Sequence, residues 1–410
     1  MYVVKLLVKP NFKFKIEMEK FNLENQILNK KKNVILFKNE FKNKKIKKIT
    51  LNLIIIIILI FLFCYYFFII IINKNKNNIF ETNSPLSKKS LKEIDEEFII
   101  NLKKILENEE IIENEIMSKH TTFKIGGPAK YFLIPKTYNQ IIEIIELCHK
   151  FKVFYFILGN GSNLLVSDEG YYGVIIQIHE NNFSTLEIKK EDENSYILRV
   201  GGGMLMKTLS IEACLLSLTG LEDIIDIPGT VGGGIIMNAS FKGTGLNIPL
   251  IKVKAITPEG KIVELTKEEC ELTHRGSKLK TKKYIVIEAT FRINKGDQLL
   301  IQKTMTDNTK MRYEKQPMYF GSAGCFFVWN HHEHGGMYEK YKESDLVGYR
   351  VGNAMVYTDN IAFIVNLGKG KGSEVMEIVM HIEKIMKEKY KIEIKREVVV
   401  IGAFKDILYY

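Results

Sequence analysis

Apolar positions along residues 91–410 recur at two spacings, and their interleaving predicts a mixed α+β chain. Leu91, Ile94, Phe98, Leu102 and Ile105 step by three or four and predict a helix over 91–106. The same spacing predicts amphipathic helices over 140–150 and 298–312, and most strongly over 374–390. Short apolar or alternating runs predict strands at 154–158, 164–166, 174–178, 196–200, 252–256, 261–265 and 284–293. The stretch 121–135 carries two strand-like runs around Gly126-Gly127. Gly201-Gly202-Gly203 opens a helix over 204–218, with Met204, Met206, Leu209, Ala213 and Leu216 as its core stripe. No internal repeat is evident.

Upstream the pattern changes. Leu51 to Ile72 is apolar apart from Asn52, a run just long enough to cross a bilayer. Asn73 to Lys89 is polar, with Pro85, and has the composition of a linker. Two readings of 51–72 stand. In one it is a transmembrane helix or uncleaved signal anchor, and the lysines before it hold the amino terminus in the cytoplasm. That orientation would export the globular part. In the other, residues 1 to about 80 come from start-site choice, since Asn, Lys, Ile and Phe are what AT-rich DNA encodes by chance.

The net charge of +11 suggests nucleic acid until it is located. Residues 1–48 hold fourteen Lys against four Glu, so the rest of the chain is close to neutral. A basic groove for DNA or RNA is not supported. The five cysteines (64, 148, 214, 270 and 325) are scattered without metal-like spacing, which fits a reducing compartment and no metal. HHEHGG (331–336) lacks spaced partners for a metal, and GKGKGS (368–373) lacks the Walker spacing and predicts a turn feeding the last helix.

Two glycine-rich loops carry the chemistry, GNGSN at 159–163 and IPGTVGGG at 227–234. Each follows an apolar run. Glycine lets consecutive backbone N–H groups turn inward and cradle anionic oxygens. Two such cradles, with Ser162, Asn163 and Thr230 as added donors, point to a ligand with two phosphates. GNGSN runs straight into Leu164-Leu165-Val166, so the Rossmann arrangement of strand, glycine loop and helix does not fit. The simpler alternative is a pair of tight turns between strands.

TTFKIGGPA, LGNGSNLLVSDEGYYGVII (158–176), GLEDIIDIPGTVGGGIIMNAS (220–240), KQP with GSAG (315–324) and EVVVIG (397–402) together resemble the UDP-N-acetylenolpyruvoylglucosamine reductase family. The motifs are in order from about Ile94 to Phe404. The resemblance implies an α+β protein with an FAD-binding fold of the vanillyl-alcohol-oxidase type and a smaller α/β substrate domain. It divides the chain into a basic extension (1–50), the apolar segment (51–72), a linker (73–93), two FAD-binding subdomains (94–182 and 183–296) and a substrate-binding domain with a carboxy-terminal return (297–410). It implies FAD and NADPH as cofactors, a UDP-sugar substrate and a cytoplasmic enzyme of peptidoglycan precursor synthesis, membrane-anchored only if 51–72 is a true span. By motif position the flavin would be held by Gly126, Gly127, Gly159, Asn160, Gly161, Ser162, Asn163, Thr230, Gly232, Gly233 and Asn238.

Hydride addition β to a carboxylate leaves an enolate-like dianion, which needs a positive charge and a hydrogen-bonding acid nearby. The α-carbon then needs a proton. The resemblance places Arg275, in HRGSK (274–278), as the enolate stabiliser and Glu397 as its partner, in the neutral acid form. It places Cys325 as the proton donor where the family usually has serine. A thiol, with a reference pKa of ~8.5, is the stronger acid of the two. The chain departs from the family in FFVWN (326–330), where Val328 and Trp329 replace polar residues near the substrate nucleotide, and at His274, Ser240 and Asp359-Asn360. Trp329 can either stack on uracil or serve as a packed aromatic. Two alternatives to the reductase remain: the departures at 326–330 suggest a flavin oxidase or dehydrogenase with another substrate, and the hydrophobic segment suggests a non-catalytic, membrane-anchored nucleotide-sugar-binding protein.

Overall fold

The computed structural model describes residues 2–8, 14–20, 91–404 and 407–409. The apolar segment 51–72 and residues 73–90 of the linker lie outside the described residues, while 91–93 begin the first helix; among the described residues no helix is long and apolar enough to cross a membrane. The chain divides into two units, 1–89 and 90–410. In the first, β1 (Tyr2–Val8) and β2 (Phe14–Lys20) form an antiparallel pair.

The second unit begins with α1 (Leu91–Ile105), whose Phe98 and Leu102 are fully buried. A four-stranded sheet follows, made of β3 (Ile111–Ile116), β4 (Pro128–Leu133), β5 (Tyr155–Leu158) and β7 (Tyr171–Gln177) in the order β3-β4-β7-β5. The β4, β7 and β5 strands run parallel, which requires a crossover, and α2 (Tyr138–Phe151) supplies it. Thr137 caps α2 through Gln140, and Ile141, Ile144, Ile145 and Cys148 line its buried face. The expected strand over 121–125 does not form. Thr121 Oγ1 donates to Ile125 O at 3.0 Å, and Asn366 Nδ2 donates to Phe123 O, so this backbone is claimed by a turn and a distant side chain.

A mixed-length antiparallel sheet forms the next layer. It contains β8 (Leu186–Lys190), β9 (Ser195–Gly201), β11 (Leu250–Ile256), β12 (Ile262–Thr266) and β13 (Ile285–Lys295) in the order β12-β11-β13-β9-β8, with β10 (Leu218–Thr219) against the end of β13. The helix expected over 204–218 is shorter: α3 spans Met206–Leu215. Met206 N donates to Gly229 O before the helix starts, and 218–219 is drawn into the sheet. Met204, Met206, Leu209 and Ala213 are buried as the stripe predicts, but Leu216 is half-exposed.

The last core is built on α6 (Gly372–Tyr390), with Val375, Ile378, Val379, Ile382 and Met386 buried against a small sheet. That sheet contains β14 (Gly321–Cys325), β15 (Arg350–Val351), β16 (Ala354–Val356) and β17 (Phe363–Asn366) in the order β14-β17-β16-β15. Phe123, Ile125 and Leu165 pack into this core although they lie far upstream. The carboxy-terminal return is direct: β18 (Val399–Phe404) pairs in parallel with β6 (Leu164–Val166). Asp168 fastens the same junction, accepting from Gly372 N at 2.6 Å and Ser373 N at 3.0 Å to cap α6.

Candidate functional site

The two glycine loops meet. A Cβ on Gly159 would lie 2.7 Å from Thr230 Oγ1, and Ser162 Oγ donates to Pro228 O at 2.8 Å. Gly161 has φ +61°, and a Cβ there would come within 2.1 Å of His120 O. That position therefore demands glycine on two grounds. No hydrogen bond within the described residues uses the backbone N–H groups of Asn160, Gly161 and Ser162. They are available to an anion. The second loop does open a helix, α4 (Val231–Ile236), whose N-cap Thr230 accepts from Gly233 N at 3.3 Å. This differs from a plain inter-strand turn, because the glycine run lets the backbone of α4 lie close to the sheet: Gly232 N donates to Gly202 O.

A cavity of about 1550 Å³ runs past both loops. It is lined by Gly159, Asn160, Gly161, Ser162, Asn163, Thr230 and Gly233, and equally by Arg275, Cys325 and Glu397. Gly126, Gly127, Gly232 and Asn238 differ from expectation, since none of them lines the cavity. Gly126 (φ +141°) and Gly127 pack on Met117, Val166 and Asp168, and a Cβ on Gly232 would meet Val286 O at 2.9 Å. Asn238 holds the loop that carries Arg275, its Nδ2 donating to Thr273 O at 2.8 Å. Their tight backbone packing gives them the same glycine-rich look in sequence as residues that touch a ligand.

Residues from three distant segments make the reactive end. Glu397 is fixed through its backbone: its N donates to Phe326 O at 2.9 Å, and its O accepts from Asn163 Nδ2 at 3.1 Å. Arg275 Nε stands 3.2 Å from Glu397 Oε1, with both side chains largely buried. Arg275 sits at φ +59°, a left-handed conformation that a bulky residue adopts at a cost of about 1–3 kcal/mol. Such strain is tolerated where a site needs the side chain aimed. Burial raises the Glu397 carboxyl above its ordinary value, against the pull of Arg275 and Lys280. Burial also pushes the Cys325 thiol up to about 11, helped by the Glu397 charge and opposed by Arg275 and Arg312.

Arg312 was not singled out from the sequence. It lies on α5 (Gln298–Lys315), is 6% exposed, lines the cavity, and has a buried Nε without a hydrogen-bond partner among the described residues. Its guanidinium rests 5.1 Å from the centre of the Phe241 ring. The Asp226 charge offsets part of the cost of burying this cation, and the unpaired Nε leaves one buried donor unsatisfied. The sequence signal available was a single Arg near the end of an otherwise polar helix, which by itself looks like any solvated residue.

The cavity exceeds the usual 300–1,000 Å³ of a small-molecule site, so it has room for a dinucleotide and a second ligand. Its free loop amides, hydroxyl donors and adjoining apolar walls suit FAD with the pyrophosphate at the loops. Among the described residues no cluster of His, Cys, Asp and Glu has a metal-binding arrangement.

Comparison with known proteins bears on this site directly. The FAD binding domain family matches residues 129–266, and the UDP-N-acetylenolpyruvoylglucosamine reductase C-terminal domain family matches 316–401. The UDP-N-acetylenolpyruvoylglucosamine reductase of Lachnoclostridium phytofermentans is 35% identical over 301 residues, covering 73% of this chain and 96% of that protein. The Clostridium novyi protein of the same name is 36% identical over 302 residues, covering 73% and 95%. The crystal structure of the Thermus caldophilus UDP-N-acetylenolpyruvylglucosamine reductase superposes with a TM-score of 0.58 at 28% identity, over 71% of this chain and 99% of that one. The FAD-binding α+β fold expected from the motifs is thereby established, and the chain belongs to the UDP-N-acetylenolpyruvoylglucosamine reductase family.

Proposed function

We propose that this chain uses NADPH and FAD to reduce enolpyruvyl-UDP-N-acetylglucosamine to UDP-N-acetylmuramate, a step of peptidoglycan precursor synthesis. The observation that carries the reading is the convergence of Arg275, Glu397 and Cys325 on the cavity shared with both glycine loops. FAD, reduced by NADPH, supplies the hydride when bound. The residues do the rest. The Asn160, Gly161 and Ser162 amides would hold the pyrophosphate, and Ser162, bonded to Pro228, keeps the two loops in register. Arg275 balances the negative charge that develops on the substrate carboxylate and its enolate form. Glu397, raised by burial, shares that role by donating a hydrogen bond in its acid form. The Cys325 S–H then gives its proton to the substrate α-carbon. Arg312 offers its free Nε to the substrate diphosphate or carboxylate.

The test is spectroscopic. The purified full chain should show a flavin absorption that bleaches anaerobically with NADPH and returns on adding enolpyruvyl-UDP-N-acetylglucosamine. Bleaching without return would assign another substrate, and absence of flavin would remove the redox reading altogether. Gly161→Ala is expected to purify with most of its flavin lost and a stability lower by about 1–3 kcal/mol, from the positive φ and the clash with His120 O. Full flavin occupancy and an unchanged thermal midpoint in that variant would show that the loop does not need this geometry.

A further inference from the structure

The cavity has an aromatic rim. Met318, Tyr319 and Phe320 line it and are 37%, 87% and 40% exposed. Each ring has a second ring set against it. Tyr313 meets Tyr319 edge-on, with ring centres 6.2 Å apart, and Tyr357 lies 6.1 Å from Phe320. The Tyr319 ring thus has one aromatic neighbour, while most of its surface faces solvent. Exposed aromatic side chains gathered at the edge of a cavity mark a candidate binding surface.

Position along the chain gives the patch a scale. Tyr319 lies six residues before Cys325, and at a strand rise of ~3.3 Å the two are at most about 20 Å apart. An extended nucleoside diphosphate sugar fits within that limit. Arg312 lines the same cavity, and its charge reaches the Cys325 thiol. One cavity therefore presents a reactive carboxylate–arginine–thiol end, a buried cation without a hydrogen-bond partner at Nε, and an open aromatic face. A sugar ether, a diphosphate and a nucleobase match these in turn.

Trp329 is the other aromatic that could take a base, and the structure commits it elsewhere. Its Nε1–H donates to Gly335 O at 2.9 Å, its ring meets His334 edge-on at 5.0 Å, and it packs on the α6 core without lining the cavity. Resting on the reductase reading above, we propose that Tyr319, set against Tyr313, is the platform on which the uracil ring of the UDP-sugar stacks. It takes over recognition at the segment where Val328 and Trp329 stand in place of polar residues.

The test uses the full-length flavoprotein and two probes, UDP and inorganic pyrophosphate, titrated calorimetrically. Tyr319→Ala should weaken UDP binding about tenfold while leaving pyrophosphate unchanged, since base–ring stacking is lost and the phosphate contacts are not. Tyr319→Phe keeps the ring and should bind UDP like the native protein. In turnover, Tyr319→Ala should raise KM for the UDP-sugar by a similar factor with kcat within about twofold, and NADPH should reduce its flavin at the native rate. UDP affinity within about twofold of native in Tyr319→Ala overturns the proposal. So does an equal loss of UDP and pyrophosphate, a loss confined to NADPH, or a native protein that binds no UDP. Native protein that binds UDP through Tyr319 yet reduces no UDP-sugar would keep the platform and refute the reductase reading, so the two fail separately.

Discussion

Cys325→Ala is expected to lower the rate of product formation by about 10²–10⁴-fold, the usual contribution of a positioned proton donor. Flavin reduction by NADPH should be nearly unaffected, because that half of the cycle needs no proton at the substrate α-carbon. Stopped-flow measurement of the two half-reactions separates them. An unchanged oxidative half-reaction would remove Cys325 from the role. Cys325→Ser, which keeps an O–H in place of the S–H, should restore much of the rate. The raised thiol also fixes a pH dependence. With its pKa pushed up to about 11, Cys325 keeps its proton through neutral and mildly alkaline pH. Loss of activity from this group should therefore set in only as pH nears 11, and not near the ordinary thiol value of ~8.5. For the same reason iodoacetamide should modify Cys325 slowly at neutral pH, since the thiolate is the nucleophile. Rapid alkylation there, or an alkaline limb near pH 8.5 that vanishes in Cys325→Ser, would contradict the environment described.

Arg275→Ala is expected to cost about 10²–10³-fold in kcat, the range found when a preorganised charge stabiliser is removed. Its effect has a second part. Arg275 lies 3.2 Å from Glu397 and opposes the burial that raises that carboxyl. Without the guanidinium, the folded pKa of Glu397 rises further, and the acid form persists to higher pH. Any activity remaining in Arg275→Ala should therefore extend further to the alkaline side wherever it depends on neutral Glu397. Arg275→Gly separates chemistry from folding. Glycine accepts φ +59° without strain, so its thermal midpoint should hold or rise while activity falls as in the alanine variant. Native turnover in either variant would show that the arginine serves only the ion pair. A lowered midpoint in Arg275→Gly would show that the pair with Glu397 outweighs the backbone strain.

The helix over 138–151 was legible because one face is buried, which writes a period into the sequence, and the strand over 171–177 because burial on both faces leaves a short apolar run. The run 121–125 misled because its apolar residues are buried without belonging to a sheet: Phe123 and Ile125 plug the core beneath α6, while their backbone is held by Asn366. The glycines of the site carry a related ambiguity. Gly161 and Gly232 look alike in sequence, yet one lines the cavity and the other is packed against Val286, because glycine is required both for binding geometry and for close backbone contact.

The sequence alone determined the alternation of helix and strand, the basic extension that keeps the rest near neutral, the two glycine loops, and the family motifs that single out Arg275, Cys325 and Glu397. These are local properties, carried by spacing and residue type. Only the tertiary structure decided that Arg275 and Glu397 form a pair, because they lie on segments brought together by the β6–β18 pairing and the loop held by Asn238. It alone decided that Arg312 is buried with an unsatisfied Nε, that Trp329 is spent on packing, and that Tyr319 is left open. A single buried arginine, an unmet hydrogen bond and an open ring are relations between distant parts of the chain, set by how the cores close on one another, and one such residue writes no period into the sequence.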